Sequence, residues 1–174
     1  MPNSASSLNV IARRAKPRDV LAISTLCRSA IEELNGERGG ALLVGSLEDG
    51  GCMGLDTELT ALSQGLLEND KYQLNYHWFV GLKDETPVGA AFLRIVKIHD
   101  FTIGKVELLY VEQNSREHGI GRALLQLMTK WGNKKLCDGI DISVLPGNRS
   151  SKAFLESQGY KARSLSMFKE ISKV

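Results

Sequence analysis

The chain predicts a mixed α/β fold, with a single, mostly antiparallel sheet flanked by helices. Three observations carry this expectation. A short strand and two helical stretches open the chain, strand-like segments joined by short turns follow, and one strongly periodic helix separates these from a final short strand, a helix and one or two closing strands. A length of 174 residues, with 43% hydrophobic and 24% charged residues, suits one domain with one substantial core. Residues 1–7 read as a flexible N-terminal tail and residues 8–174 as a single domain.

In order, a short apolar strand fits Leu8 to Ala12. Pro17 then starts a helix, at a position where its missing N–H costs nothing. Val20, Ile23, Leu26, Ala30, Ile31 and Leu34 recur every three or four residues and mark one buried face, and Asn35-Gly36 ends the helix. Residues 37–54 carry six glycines and read as a loop, either enclosing a substrate or simply facing solvent. A second helix covers Asp56 to Leu67. Strands follow at Tyr76–Leu82, Val88–Lys97 and Lys105–Val111, with turns at Lys83–Pro87 and His99-Asp100, and these short connections favour antiparallel neighbours. Ile120, Leu124, Leu127, Met128 and Trp131 line one side of a helix that ends near Lys134. Gly139–Leu145 is a strand, Asn148 or Ser150 to Ser157 a helix, and Tyr160–Ile171 one or two further strands.

Composition excludes several classes of function. The formal net charge is +2, from 22 Lys and Arg against 20 Asp and Glu, so no overall field drives the protein onto nucleic acid. The basic cluster Arg13, Arg14, Lys16 and Arg18 is read as a solvated strand end and helical turn. No apolar run is long enough to span a membrane, and Met1 to Val10 lack the apolar core of a leader, so a cytoplasmic location is expected. Cys27, Cys52 and Cys137 have no metal-ligand spacing, and no metal is expected.

The chemistry concentrates at Val111-Glu112-Gln113-Asn114-Ser115-Arg116-Glu117-His118-Gly119-Ile120-Gly121-Arg122. An apolar strand enters, a polar turn carries the two glycines, and a periodic helix leaves. Free N–H groups at such a helix start surround a phosphate, with the helix dipole assisting. Arg116 or Arg122 adds charge-assisted hydrogen bonds. A nucleotide P-loop needs Lys-Ser/Thr where Arg122-Ala123 stand, and a dinucleotide fingerprint needs glycine where Leu124 stands, so both fail. Glu107 lies inside an apolar strand, where a carboxylate is costly without a partner. A local bulge would invalidate simple face counting, so the sequence leaves its direction open.

The turn resembles that of the GNAT superfamily of acyl-CoA-dependent N-acetyltransferases, whose motif is Arg/Gln-x-x-Gly-x-Gly/Ala after an apolar strand. Arg116, Gly119 and Gly121 match it. Asn148, Phe154 and Gly159-Tyr160 match a second motif of the family, Asn-x-x-Ala-x-x-Phe-Tyr followed by Gly-Phe or Gly-Tyr. Ser151 replaces its alanine, and Leu155 replaces its tyrosine.

The resemblance implies a central splay between two parallel strands, here Glu107–Val111 and Ile140–Val144, with pantetheine inserted beside Leu109, Tyr110 and Val111. It implies that the amides of Glu117, His118, Gly119, Ile120, Gly121 and Arg122 bind the pyrophosphate of acetyl-CoA, with Arg116 and Asn148 close to the cofactor. Glu107 is implied as the base that deprotonates an amine, against the alternative of a structural ion pair. His77 is weighed as a lesser base, and Trp131 as packing. The implied function is acetyl transfer to a primary amine by direct attack. A small-molecule acceptor is the first expectation. A protein amine is the second, and a non-catalytic acyl-CoA sensor the alternative. A homodimer is compatible with this size of domain.

Overall fold

In a computed structural model that describes residues 9–40, 55–64, 76–165 and 167, the strands are β1 (Val10–Arg14), β2 (Tyr76–Lys83), β3 (Thr86–Ile98), β4 (Phe101–Val111) and β5 (Gly139–Ile142). They pair in chain order into one sheet. The first four are mutually antiparallel. The last runs parallel to β4, joined through α3 (Ile120–Lys134), as a parallel pair requires. Among the described residues, three more helices flank the sheet: α1 (Val20–Asn35), α2 (Leu55–Ser63) and α4 (Arg149–Ser157).

The sheet separates two apolar cores. On one face Ile23, Leu26, Cys27 and Ala30 of α1, with Leu59 and Leu62 of α2, cover Trp78, Ala90, Phe92 and Leu108. On the other, Ile120, Leu124, Leu125 and Met128 of α3, with Leu155 of α4, cover Phe79, Ala91, Leu93 and Val106. The helical spacing read from the sequence is the spacing that meets these faces. At the centre, α3 lies almost on the backbone of the sheet. A Cβ at Gly81 would stand 2.5 Å from Ile120 Cγ2, and one at Gly89 would stand 3.0 Å from it. These two glycines let the first turn of α3 sit close over β2 and β3.

Several boundaries differ from those expected. The first strand is displaced to Val10–Arg14, because its two arginines find partners there. Arg13 donates to both oxygens of the buried Asp19, at 2.6 and 2.8 Å, and Arg14 lies 4.4 Å over the Trp131 ring. Arg13 is therefore committed to an ion pair rather than solvated. The turn expected over Lys83–Pro87 is tighter: Lys83 pairs with Thr86, and Asp84 and Glu85 both take positive φ (46° and 67°), as a two-residue hairpin loop demands. Residues 160–165 form no strand. The rest of that expected strand and most of the glycine-rich loop lie outside the described residues. Among the described residues, no helix is long and apolar enough to cross a membrane.

Candidate functional site

The β4–α3 turn leaves a run of backbone N–H groups open at the start of a helix. Glu117 and Gly119 take left-handed backbone conformations (φ 65° and 87°), the kind of backbone from which anion-binding nests are made. Ala123 N donates to Gly119 O and starts the helical ladder. None of the N–H groups from Glu117 to Arg122 donates to a carbonyl of the described residues. No side chain caps the helix either. Glu117, His118, Gly119 and Arg122 are exposed, whereas Ile120 is buried and anchors the turn to the sheet. His118 Nδ1 lies 2.7 Å from Arg116 O, so its ring stays within the turn. The donors that a helix start leaves unsatisfied are thus displayed on a rigid support.

Arg116 is occupied differently from the expectation that it reaches toward phosphate. Its Nε donates to Val111 O at 2.9 Å, and its Nη2 donates to both oxygens of Glu33 on α1, at 2.8 and 2.6 Å. Its guanidinium also lies 5.7 Å from the Tyr110 ring centre. The side chain therefore ties the turn to α1 and takes one carbonyl of the strand that was expected to face pantetheine. Burial, and after it the Glu33 carboxylate, push the Tyr110 hydroxyl above its ordinary range, so it remains a proton donor at neutral pH.

Beside this turn the sheet parts. β4 and β5 pair from Ile103↔Gly139 to Val106↔Ile142 and no further, while β4 continues to Val111 along β3. Glu107 is the first residue past the last parallel pair. Leu109 and Val111 pack toward α3 and Tyr110 toward α1, so the unpaired part of β4 presents both faces. Glu107 itself is half-buried and ion-paired: Arg94 Nε and Nη2 donate to its Oε1 at 2.9 and 2.6 Å, and Lys105 Nζ lies 3.4 Å from the same atom. Arg94 escaped the sequence reading. The available signal was a second charged residue inside a neighbouring apolar strand.

The far wall is the start of α4. Asn148 caps that helix by accepting from Ser151 N at 2.9 Å, and its amide donates to Glu37, just beyond α1, at 3.2 Å. Leu155, at the position where the motif carries tyrosine, is only 6% exposed and belongs to the α3-side core. Tyr160 packs against the same core, and burial raises its hydroxyl above the ordinary range. His77 is also buried, with its ring 5.1 Å from Trp131 on the α3 side, away from the face that carries Glu107. That position removes it as an acceptor-side base and makes it a packing partner of Trp131. Burial pushes the Cys27 thiol up to about 12, and burial followed by Asp138 raises Cys137, so neither is a ready thiolate. Among the described residues, no group of three or more His, Cys, Asp or Glu is placed to hold a metal ion.

A mixed sheet in which the parallel pair β4–β5 parts beside a glycine turn matches the fold of acetyltransferases. Residues 54–160 match the Acetyltransferase (GNAT) family, and the chain belongs to that family. No curated protein matches it. Among solved structures it is similar to AAC(6')-Iy in complex with the bisubstrate analog CoA-S-monomethyl-acetylneamine, at 15% identity and a TM-score of 0.67, covering 95% of this chain and 99% of that one. It is also similar to a tetramutant of the BH1408 protein from Bacillus halodurans (19% identity, TM-score 0.71, covering 92% and 99%). A third is a putative acetyl transferase from Pyrococcus furiosus (22%, 0.62, covering 94% and 100%). At these identities the likeness is one of fold.

Proposed function

We propose that the protein transfers an acetyl group from acetyl-CoA to a primary amine of a small molecule by direct attack. The observation that carries this reading is the open stretch of β4 beginning at Glu107, beside a turn whose N–H groups from Glu117 to Arg122 have no backbone partner among the described residues. The turn suits a pyrophosphate, which takes several N–H donors and the positive end of α3. The open stretch suits the amides of pantetheine, which complete hydrogen bonds that β5 leaves unmade. An added Cβ at Gly119 would meet nothing within 4 Å, so the backbone there is accessible to a ligand. Binding of a CoA analogue by the AAC(6')-Iy neighbour supports the donor, and its aminoglycoside analog supports a small-molecule acceptor.

In the reaction the amine nitrogen bonds to the thioester carbon, the carbon–sulfur bond breaks, and CoA leaves as thiolate. The amine proton passes to Glu107 and on to the thiolate or solvent. Because the thioester is already activated, orientation and proton removal supply most of the acceleration. The thiolate leaves without a tyrosine donor, since ordinary thiols ionise near a pKa of ~8.5. The absence of a hydroxyl at Leu155 favours one second reading, an acyl-CoA sensor, which would bind CoA without turnover.

Incubation of acetyl-CoA with neamine, spermidine, small primary amines and a peptide N-terminus, followed by thiol release and product mass, tests the proposal. Acetylation of at least one small amine is expected. Glu107→Gln should slow it by about 100-fold near pH 6.5 and by less near pH 9, where more amine is already neutral. Tight CoA binding with no product from any amine would establish the sensor instead. Equal rates for both proteins at every pH would remove Glu107 as the base.

A further inference from the structure

β4 contains an irregularity at the point where the sheet parts. Phe92 pairs with Leu108 and Leu93 with Val106, which leaves Glu107 with no opposite residue on β3. The slip reverses the facing of β4. Val106 packs in the α3-side core, and Leu108, two positions on, packs in the α1-side core. A one-residue bulge re-aims side chains in this way and recurs beside active sites.

The Arg94–Glu107 contact is one-sided. A brace between arginine and carboxylate commonly uses two parallel bonds, one to each oxygen. Here Nε and Nη2 of Arg94 both donate to Oε1, and Lys105 Nζ approaches that same oxygen. No donor of the described residues reaches Oε2. The side chains of Arg94 and Glu107 are 21% and 17% exposed, so the pair is shielded without being sealed from a ligand.

Building on the proposed acetyl transfer, we propose that Arg94 is a positioning residue. It holds Oε1 of Glu107 so that Oε2 is presented, at the head of the β4–β5 split, to the proton of the attacking amine. Lys105 is more exposed and more distant, and only adds to the field on Oε1. Loss of Arg94 leaves the carboxylate free to rotate, and proton transfer is lost in proportion to the time it spends misaligned.

A double-mutant cycle on the full chain tests this, using acetyl-CoA with neamine, or with the fastest amine of the panel should neamine not be acetylated. Arg94→Gln is expected to lower kcat by about 10-fold while the KM for acetyl-CoA stays within about twofold. In the Glu107→Gln background the same change should alter kcat by less than about twofold, since the group it positions is gone. Arg94→Lys, which keeps the charge and one donor, should recover about threefold of the loss. An unchanged kcat in Arg94→Gln, or losses that multiply in the double variant, would overturn the positioning role while leaving Glu107 as base. A Glu107→Gln protein as fast as wild type would overturn the base itself, as would the absence of turnover with every amine. If Arg94→Gln does not fold by thermal denaturation, Arg94→Lys in the two backgrounds completes the cycle with the same criterion.

Discussion

Gly121 illustrates how a motif residue acquires its reason from packing. The motif implies that its missing side chain admits a phosphate, yet a Cβ there would stand 3.3 Å from Phe154 Cζ and 3.9 Å from Val111 Cγ2. The glycine serves the contact between α3 and α4 as much as any ligand. Gly121→Val should therefore destabilise the protein by about 1–3 kcal/mol through overpacking, as well as weaken CoA by displacing the turn. Gly119→Ala should act differently, because its Cβ meets nothing. Its cost of about 1–2 kcal/mol comes from holding alanine at a φ of 87°. Thermal denaturation and CoA calorimetry on both variants separate these causes, and an unchanged melting temperature in Gly121→Val would refute the Phe154 contact. Leu155 makes the complementary case. Leu155→Ala should cost about 2–5 kcal/mol in urea unfolding and leave the kcat of the folded enzyme largely intact, as a core residue would.

At the scale of elements, α1 is linked to both sides of the split. Glu33 holds Arg116 of the β4–α3 turn, and Glu37, just past the helix, holds Asn148 at the start of α4. The first link is about 40% exposed on both partners, so it contributes orientation more than stability. Asn148 also caps α4. Asn148→Ala should cost about 1 kcal/mol by loss of the Ser151 N–H bond, and Asn148→Asp should recover that part while repelling Glu37. Denaturation of both variants checks this, and an alanine variant as stable as wild type would dismiss the cap. Helix spacing and the two motifs made α1, α3 and the β4–α3 turn legible from residue order. The one-sided clamp on Glu107 was not legible, because Arg94 and Glu107 meet only across a β3–β4 register that contains a slip.

The fold as a whole contains a pH-dependent support at its N-terminal edge. Burial of Asp19 alone would raise its carboxyl, but hydrogen bonds from Arg13 and Lys16 N–H and the charges of Arg13 and Arg18 outweigh it and hold the group below its ordinary range. A depressed folded-state value means stability that is present above the unfolded carboxyl pKa of about 3.9 and is lost as pH falls through the lower folded value. Asp19→Asn should thus cost about 2–3 kcal/mol at neutral pH, since it leaves Arg13 without its carboxylate partner. The gap from wild type should begin to narrow near the unfolded carboxyl pKa of about 3.9, where the unfolded wild type takes up its proton. It should close as pH falls through the lower folded value. Urea unfolding across this range checks the sign, and a gap that stays constant down to pH 2 would contradict it.

Residue order alone determined the family of the chain, the location of the β4–α3 turn, and the order of its helices and strands from Val10 to Ser157, except where the glycine-rich loop lies outside the described residues. Those depend on periodicity, glycine placement and short spacings, which act within a few residues of one another. Residue order did not determine the strand expected from Tyr160, which residues 160–165 do not form. Tertiary structure decided where Arg116 points, which face Glu107 presents and why Gly121 lacks a side chain. It also decided that the first strand extends through Arg14 and that His77 packs against Trp131. Each of these rests on contacts between residues distant in the chain. A change of one residue in strand register sends a side chain to the other face, so local pattern carries no information about them.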